Sequence, residues 1–289
     1  MRTENNHEIG KSMGIHARRA IAYIVLIIMT FLCLFWFYLL FINATRSHSE
    51  MTQGFTPFPS THLGDNWEAL KNDAVINIGV GLRNSFIVAI GSATLSVYFS
   101  AMTAYAIHVY DFKLKKFMFT FILAVMTIPT QVTALGFVQL VENMGLTNNF
   151  IPLIVPAIAA PVTFFYMKQY MESTLPLSLV EAARIDGSGE FRTFNQIVMP
   201  LMKPAVAVQA IFTFVSSWNN YFTPALILDE KDMKTLPIMI AQLRSADWLK
   251  FDMGKVYVMI AFSILPVVIV YLCLSKFIVQ GVALGSVKG

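Results

Sequence analysis

The sequence predicts an all-α membrane protein with six transmembrane helices, both termini in the cytoplasm and a folded cytoplasmic loop between the fourth and fifth helices. Three observations support this prediction. Hydrophobic residues make up 56% and charged residues 13% of the 289 residues, and the mean hydropathy is +0.62, which is too apolar for a water-soluble domain. Six apolar stretches are long enough to cross a bilayer. Basic residues are concentrated in alternate connecting segments.

The six apolar stretches define the predicted spans, because a helix of about 20 residues crosses the hydrocarbon core. They are residues 20–42, 84–108, 117–140, 151–170, 205–228 and 256–279. The first is longer than the apolar region of a signal peptide and lacks a small-residue cleavage pattern after it, so we expect it to remain as an anchor. The predicted organisation is a cytoplasmic N-terminal segment (1–19), a six-span domain (20–280) and a cytoplasmic tail (281–289).

The distribution of charge predicts the orientation. With the N-terminus inside, the cytoplasmic segments, together with Lys168 and Lys276 near the cytoplasmic span ends, hold 13 of the 21 lysines and arginines but only 7 of the 17 acidic residues, as the positive-inside rule requires. Membrane topology thus accounts for the basic excess, and no nucleic-acid partner is expected. The two cysteines, Cys33 and Cys273, lie in predicted spans without metal-ligand spacing, so neither a disulfide nor a metal site is predicted.

The cytoplasmic loop at residues 172–203 contains a polar segment in a chain that is otherwise almost continuously apolar. Ser178 and Glu181 have the spacing of a capping box, so a helix is predicted to begin there. The helix is predicted to end at the pair Asp186-Gly187, because glycine adopts the left-handed conformation that closes a helix.

A second helical segment is predicted after this turn. Its apolar residues recur every three or four positions; they are Phe191, Phe194, Ile197, Val198 and Leu201. Pro200 and Pro204 are expected to stop it before the fifth span. Both short helices are predicted to lie parallel to the membrane. The small side chains of Ala182 and Ala183 would leave the first helix narrow enough to fit a groove on another protein.

This loop resembles the EAA loop of bacterial binding-protein-dependent ABC importer permeases. The matching residues are Glu181, Ala182, Ala183, Asp186, Gly187, Phe194, Ile197, Pro200, Leu201 and Pro204. Ser188 stands where alanine is usual and Met199 where an aliphatic residue is common. From residue 176 onward the chain is also similar to the smaller membrane subunit of maltose-type transporters in the carbohydrate-uptake group, including Trp218-Asn219 and the ending at 281–289.

The resemblance implies a non-catalytic subunit of the bacterial cytoplasmic (inner) membrane. It implies a second permease subunit, an ATPase dimer, an external solute-binding protein, a carbohydrate substrate and membrane lipid as partners. ATP and Mg would be bound by the ATPase subunits, and no cofactor by this chain. The implied ATPase-coupling residues are Glu181, Ala182, Ala183, Asp186 and Gly187, and the implied tail contact is Gly285, Ser286, Val287, Lys288 and Gly289. Glu181 has the alternative of acting only as the capping partner of Ser178.

Candidates for the substrate path lie in the third and fifth spans. They are Gln131, Trp218, Asn219, Asn220 and Tyr221, since aromatic rings stack on sugar faces and amides bind hydroxyls. An interfacial aromatic belt with interhelical hydrogen bonds is the alternative for the fifth-span group. The spans hold no run of ionisable residues, which argues against a proton-coupled carrier.

The outer loop at residues 229–255 contains an apolar-periodic segment whose Met239, Gln242 and Leu243 are candidates for contact with the binding protein. A solvated loop is the alternative. Two rival functions remain open for the whole chain. One is an ABC importer of a non-sugar cargo, and the other is a non-transport membrane scaffold that recruits a cytoplasmic partner.

Overall fold

The computed structural model describes residues 2–246 and 251–286, with side chains described for residues 16, 18–246 and 251–277. All regular structure in these residues is helical, which confirms the all-α prediction. Residue contacts divide the chain into two units. They comprise residues 1–72 with 247–262, and residues 73–246 with 263–289.

The first unit contains a long helix followed by two short ones. These are α1 (Arg2–Ala44), α2 (His48–Thr52) and α3 (Leu63–Lys71). The most apolar window of α1 has no residue buried within the chain, as expected of a helix whose side chains face lipid or another subunit. A capping box between Ser47 and Glu50 starts α2.

Asn66 of α3 holds the first unit together. Its side chain is buried, and Nδ2 donates to the carbonyl oxygens of Ala44 at 3.0 Å and Arg46 at 2.9 Å. Ala44 is the last residue of α1, where a helix leaves acceptors unsatisfied, and Arg46 follows two residues later. The amide of Asn66 also lies next to Gly254, at the start of the last helix.

The second unit is built around α4. Its helices are α4 (Ile78–Val109), α5 (Lys115–Val125), α6 (Thr130–Asn143), α7 (Ile151–Ile154), α8 (Pro161–Thr174), α9 (Leu177–Ile185), α10 (Glu190–Thr193), α11 (Met199–Leu201), α12 (Lys203–Trp218), α13 (Phe222–Ile227) and α14 (Leu236–Arg244). Turns of 3-10 helix at Val155–Ile158 and Lys231–Met233 and a π-helical turn at Phe194–Val198 connect them. The last helix is α15 (Met253–Ser286). α4 packs against α8 and α12, and its buried face is rich in alanine and serine, which lets helices approach closely.

Three serine hydroxyls of α4 bond to the interrupted fourth span. Ser92 donates to the Leu153 carbonyl at 3.3 Å, Ser96 to the Thr163 hydroxyl at 3.1 Å and Ser100 to the Ala160 carbonyl at 3.4 Å. Pro156 and Pro161 carry no N–H in this stretch, so the regular helical ladder is broken there. Hydroxyls from a neighbouring helix supply partners to such a break inside a membrane.

The spans agree in part with the sequence prediction. Among the described residues, four helical stretches are long and apolar enough to cross a membrane; they are Arg18–Ala44, Ile78–Val109, Ile151–Thr174 and Met253–Phe277. Two helix pairs pass the same test only when combined; they are Lys115–Val125 with Thr130–Asn143, bent by 96°, and Glu190–Leu201 with Lys203–Trp218, bent by 81°. The described residues thus hold four to six candidate spans, and the six-span layout and the orientation stay predictions.

The third and fifth predicted stretches are not single helices. In the third, Pro129 takes an extended conformation as N-cap of α6, because proline cannot continue the hydrogen-bond ladder and disfavours helix in the residue before it. In the fifth, α12 ends at Trp218 and α13 starts at Phe222. The Asn220 side chain accepts from the Thr223 N–H at 3.4 Å, a local bond of the kind with which asparagine competes against helix.

Both ends of the chain are more helical than expected. α1 begins at Arg2 and continues into the first span, and α15 runs to Ser286, beyond the predicted span end at residue 279. Of the predicted tail contact, Gly285 and Ser286 close α15, whereas residues 287–289 lie outside the described residues.

Candidate functional site

The first loop helix, α9, begins without the predicted capping box. Pro176 is its N-cap, in an extended conformation (φ −66°, ψ 136°) and without a side-chain cap, and its carbonyl accepts from the Leu179 N–H at 3.1 Å. The helix therefore starts before Ser178, whose hydroxyl lies inside the first turn and cannot cap it. The capping prediction is wrong. Glu181 forms no hydrogen bond or ion pair with any described residue, so its carboxylate is free to bind a partner.

The end of α9 confirms the predicted glycine turn. Gly187 has φ +77°, a left-handed conformation that side chains with a Cβ rarely adopt. Its N–H donates to the Arg184 carbonyl at 3.0 Å, and the Ser188 N–H donates to the Ala183 carbonyl at 2.9 Å. This pair of bonds is the Schellman motif. Asp186 is the C-cap residue before the glycine.

α9 has a buried face and an exposed face. Val180 and Ala183 are buried, and Val180 belongs to a core cluster with residues of α4 and α8. The opposite face exposes Glu181, Ala182 and Ile185, and Ile185 is 86% exposed. Of the two alanines predicted to narrow the helix for a partner, only Ala182 faces outward, because Ala183 packs inside the chain.

The second segment of the loop packs onto α4 through an aromatic residue. Phe194, which is 2% exposed, opens the π-helical turn, and its ring centroid lies 5.7 Å from that of Tyr98 and 5.6 Å from that of Tyr105. The segment ends at Leu201 and α12 begins at Lys203, so the predicted break lies between Pro200, which is inside α11, and Pro204, which is in the first turn of α12. Phe191 points away from this contact and is 70% exposed.

A polar network joins the two halves of the loop to α4. Arg184 Nε donates to Glu190 Oε1 at 2.7 Å, and the Tyr105 hydroxyl donates to Glu190 Oε2 at 2.9 Å. The Arg184 guanidinium also lies 5.5 Å from the centroid of the Tyr110 ring, within cation–π range. Glu190 is thus the acceptor shared by α9 and α4.

The Arg184 guanidinium, followed by the nearby hydroxyl groups of Tyr110 and Tyr105, lowers the pKa of Glu190 to about 2. A depressed carboxyl pKa stabilises the fold above the pKa of the unfolded chain, and this contribution is lost as the pH falls through the folded pKa. The network is therefore fully charged near neutral pH and loses its anion only under strongly acidic conditions.

The sequence analysis did not identify this network. Arg184 and Glu190 carry opposite charges on either side of the predicted glycine turn. This pattern indicates an ion pair, because such a turn brings the ends of its flanking helices together. The role of Tyr105 had no local signal. It lies in α4, and only the tertiary packing brings its hydroxyl to Glu190.

Comparison with known proteins identifies the family. Residues 96–284 match the family described as binding-protein-dependent transport system inner membrane component. The chain belongs to this family. This permease is 36% identical to the arabinooligosaccharides transport system permease protein AraQ of Halalkalibacterium halodurans over 234 residues, which are 80% of this chain and 81% of AraQ. It is 31% identical over 264 residues to the sn-glycerol-3-phosphate transport system permease protein UgpE of Yersinia pestis, covering 90% and 94% of the two chains.

A solved structure of a bacterial ABC transporter involved in the import of the acidic polysaccharide alginate contains a chain with the same fold. The TM-score is 0.75 at 21% sequence identity, and the match covers 89% of this permease and 94% of that chain. The likeness confirms the permease fold, which is that of a multi-pass membrane protein.

The predicted substrate-path residues of this permease have different environments. Trp218 is 2% exposed. Its Nε1–H donates to the Ser263 carbonyl at 3.1 Å and its ring contacts Phe86 and Phe214, which favours the packing alternative. Gln131, in the first turn of α6, is exposed.

The remaining path candidates surround the break between α12 and α13. Asn219 and Tyr221 are exposed and Asn220 is half-buried. The broken helix leaves backbone and amide groups there that a polar ligand can use, and membrane proteins place such irregular backbone where it lines a cavity or packs inside protein. The break, rather than Trp218, is the better candidate for contact with a polar cargo.

The outer segment of the permease that holds Met239, Gln242 and Leu243 is the helix α14. Met239 is 1% and Leu243 8% exposed, and a Cβ on Gly81 of α4 would meet Met239 Sδ at 2.6 Å. In this conformation the two apolar side chains pack within the chain and do not face a partner. Gln242 is half-buried, with an Oε1 that has no hydrogen-bond partner among the described residues.

Proposed function

We propose that this permease is one of two membrane subunits of an ATP-driven importer for a carbohydrate, an oligosaccharide delivered by an external binding protein. In this proposal it lies in the bacterial cytoplasmic membrane with six spans and both termini inside. The relatives named for arabinooligosaccharide transport support the cargo class. The permease supplies no catalysis, and ATP and Mg bind to partner ATPase subunits.

The exposed face of α9 carries the proposal. Glu181 and Ile185 point away from the core, whereas Val180 on the opposite face is buried. Ile185, which is 86% exposed, would lose this exposure to water on binding a partner, and burial of apolar surface favours association. An ATPase cleft with apolar walls and a basic group would accept this face, and the Schellman turn at Gly187 fixes its direction.

The polar network gives α9 a direct connection to a transmembrane helix. When the ATPase pair closes on ATP, a displacement of α9 reaches Glu190 through Arg184 and reaches α4 through Tyr105. The loop and α4 then move together, which is a rigid-body switch between two arrangements. The proposed result is an outward-facing path that opens as the ATPases close.

The relatives of this permease suggest two classes of cargo. The similarity to a sn-glycerol-3-phosphate permease makes a small phosphorylated solute the second candidate. Purification of the chain from its native membrane in mild detergent, followed by mass spectrometry, would identify the binding protein and ATPase that accompany it. Uptake of labelled arabinooligosaccharide and glycerol phosphate into proteoliposomes with that binding protein then decides between the two, and recovery of neither an ATPase nor a second permease would refute the importer.

Reversing the charge of Glu181 tests the coupling face. We expect Glu181→Lys to insert normally but to lower ATPase association by about tenfold, because it turns an attraction into a repulsion at the interface. Copurification of the ATPase and uptake are the measurements. Glu172→Lys is unsuitable as a control, since Glu172 pairs with Lys168. Glu68→Lys, in α3 and exposed, is the matched control, and normal uptake by Glu181→Lys would remove Glu181 from the coupling role.

The proposed contact with the binding protein needs a test that spares the core. Deleting residues 232–249 would remove the buried Leu236, Ile238 and Met239 and the Asp232 and Lys234 carbonyls that accept from Asn84 Nδ2 at 2.8 and 3.0 Å. Gln242→Ala truncates a half-buried side chain instead and places no charge at the buried Oε1. We expect it to reduce stimulation of ATPase activity by the binding protein without changing the basal rate, and unchanged stimulation would exclude Gln242 from the contact.

A further inference from the structure

A basic pocket at the start of α5 is not explained by the transport mechanism. It is an open cavity of about 360 Å³, and Lys113, Lys115, Lys116 and Lys168 contribute to its walls together with Asp111 and Phe119. This volume lies in the range of small-molecule sites, about 300–1,000 Å³. The positive-inside rule accounts for lysines at a span end, but it does not require lysines from separate helices to converge on one cavity.

The charges in and around the pocket leave a net positive site. Lys168 comes from α8, pairs with Glu172 at 2.5 Å and lies 4.6 Å from the centroid of the Phe119 ring. Within the part of the chain that the structure describes, Lys113, Lys115 and Lys116 form no ion pair. Three lysines without an ion pair therefore line the pocket together with a single acidic residue, Asp111.

The surroundings of the pocket are those of a membrane surface. α5 exposes large apolar side chains directly beyond the lysines, namely Phe117 at 66%, Met118 at 43% and Phe121 at 58% exposure. Leu114, between the lysines, is 61% exposed. A surface with ammonium groups at one end and uncovered aromatic rings along the helix matches a ligand with an anionic head and an apolar tail.

We propose that this pocket binds the phosphate headgroup of an anionic phospholipid, with the acyl chains along the exposed face of α5. The lysines supply charge-assisted hydrogen bonds to the phosphate oxygens, and the pocket is of the kind that takes lipid headgroups between helices. The site does not depend on the cargo of the permease. Because it lies on the loop between α4 and α5, a bound lipid would hold α5 against the end of α8.

The test compares lipid retention by the purified full-length chain in its assembly. The variant Lys113→Gln/Lys115→Gln/Lys116→Gln removes the unpaired charges, and Lys71→Gln/Lys234→Gln/Arg244→Gln removes three basic side chains from the predicted outer segments as the matched control. Replacement of the three pocket lysines by arginine keeps the charge and the topology signal. Delipidated samples are titrated with phosphatidylglycerol, phosphatidylcholine or inorganic phosphate, and bound ligand is measured by native mass spectrometry.

We expect tight binding of phosphatidylglycerol to the wild type, the arginine variant and the control. The glutamine variant should bind it on the order of 100-fold more weakly, since each basic residue near an anionic surface contributes about a factor of five. Equal binding of phosphatidylcholine, or equal loss in the control, would overturn the site. Inorganic phosphate that binds as tightly as phosphatidylglycerol would assign the pocket to a soluble anion and refute the lipid.

Discussion

Replacing Glu190 with lysine is expected to lower uptake at least tenfold while the permease still inserts and the ATPase still hydrolyses ATP. The variant loses the charge-assisted hydrogen bonds from Arg184 and Tyr105, and it places a second cation beside the guanidinium. α9 would then move without α4. Uptake and ATP hydrolysis measured on the same proteoliposomes reveal the uncoupling.

Two control variants show whether the loss of the Glu190 network causes the expected loss of uptake. Glu190→Gln keeps an acceptor of the same length, so we expect an intermediate loss of uptake. Glu142→Lys makes the same charge reversal at an exposed position near the end of α6 and should transport normally. If Glu190→Lys retained full uptake, or lost uptake and ATPase stimulation only because less protein was inserted, the network would have no part in coupling.

Gly254→Ala is expected to be the most destabilising single methyl addition in the first unit. A Cβ at this position would lie 2.3 Å from Asn66 Oδ1 and 2.6 Å from its Cγ. Asn66 cannot yield without losing its two bonds to the end of α1. Overpacking of this kind costs about 1–3 kcal/mol, which corresponds to a fall in Tm of roughly 2–10 °C, measurable in detergent.

The contrast with Gly64→Ala makes this prediction specific. Gly64 is in α3 of the same unit, and its Cβ would meet nothing within 4 Å, so alanine there should leave Tm unchanged or raise it, given its higher helix propensity. In an Asn66→Ala background, Gly254→Ala should cost much less than in the wild type, because the clashing amide is gone. Additive losses in the double variant would show that the close approach is not the cause.

The sequence predicts the fold class because hydrophobic length and charge asymmetry are properties of single segments. It also predicts the end of α9, since the Asp186-Gly187 pair determines that turn locally. It fails at the start of the same helix, where Pro176 begins the helix before Ser178 can cap it. It also fails at residues 126–129 and 219–221, because apolar composition measures the length of a span but does not show whether the helix is continuous.

The site residues also divide into those that a local sequence pattern predicts and those that only tertiary packing brings together. The exposure of Glu181 follows from the two faces of one helix, which the apolar spacing partly reveals. The Glu190 network and the burial of Met239 do not follow from any segment alone. Tyr105 contacts Glu190, and Met239 contacts Gly81, only after α4 has packed against distant parts of the chain. Patterns within a single sequence do not predict these contacts.

The three hydroxyl bonds from α4 to the fourth span restrict how the protein can change shape. Sliding α4 by one helical turn would break the hydrogen bonds of Ser92, Ser96 and Ser100 at the same time. The hydrocarbon core of a membrane holds no water that could replace their acceptors. α4 and the fourth span should therefore move as a single rigid body. The hinges then fall at the two places where the backbone is already discontinuous, ahead of Pro129 and after Trp218, and stiffening either one should slow transport without altering what is transported.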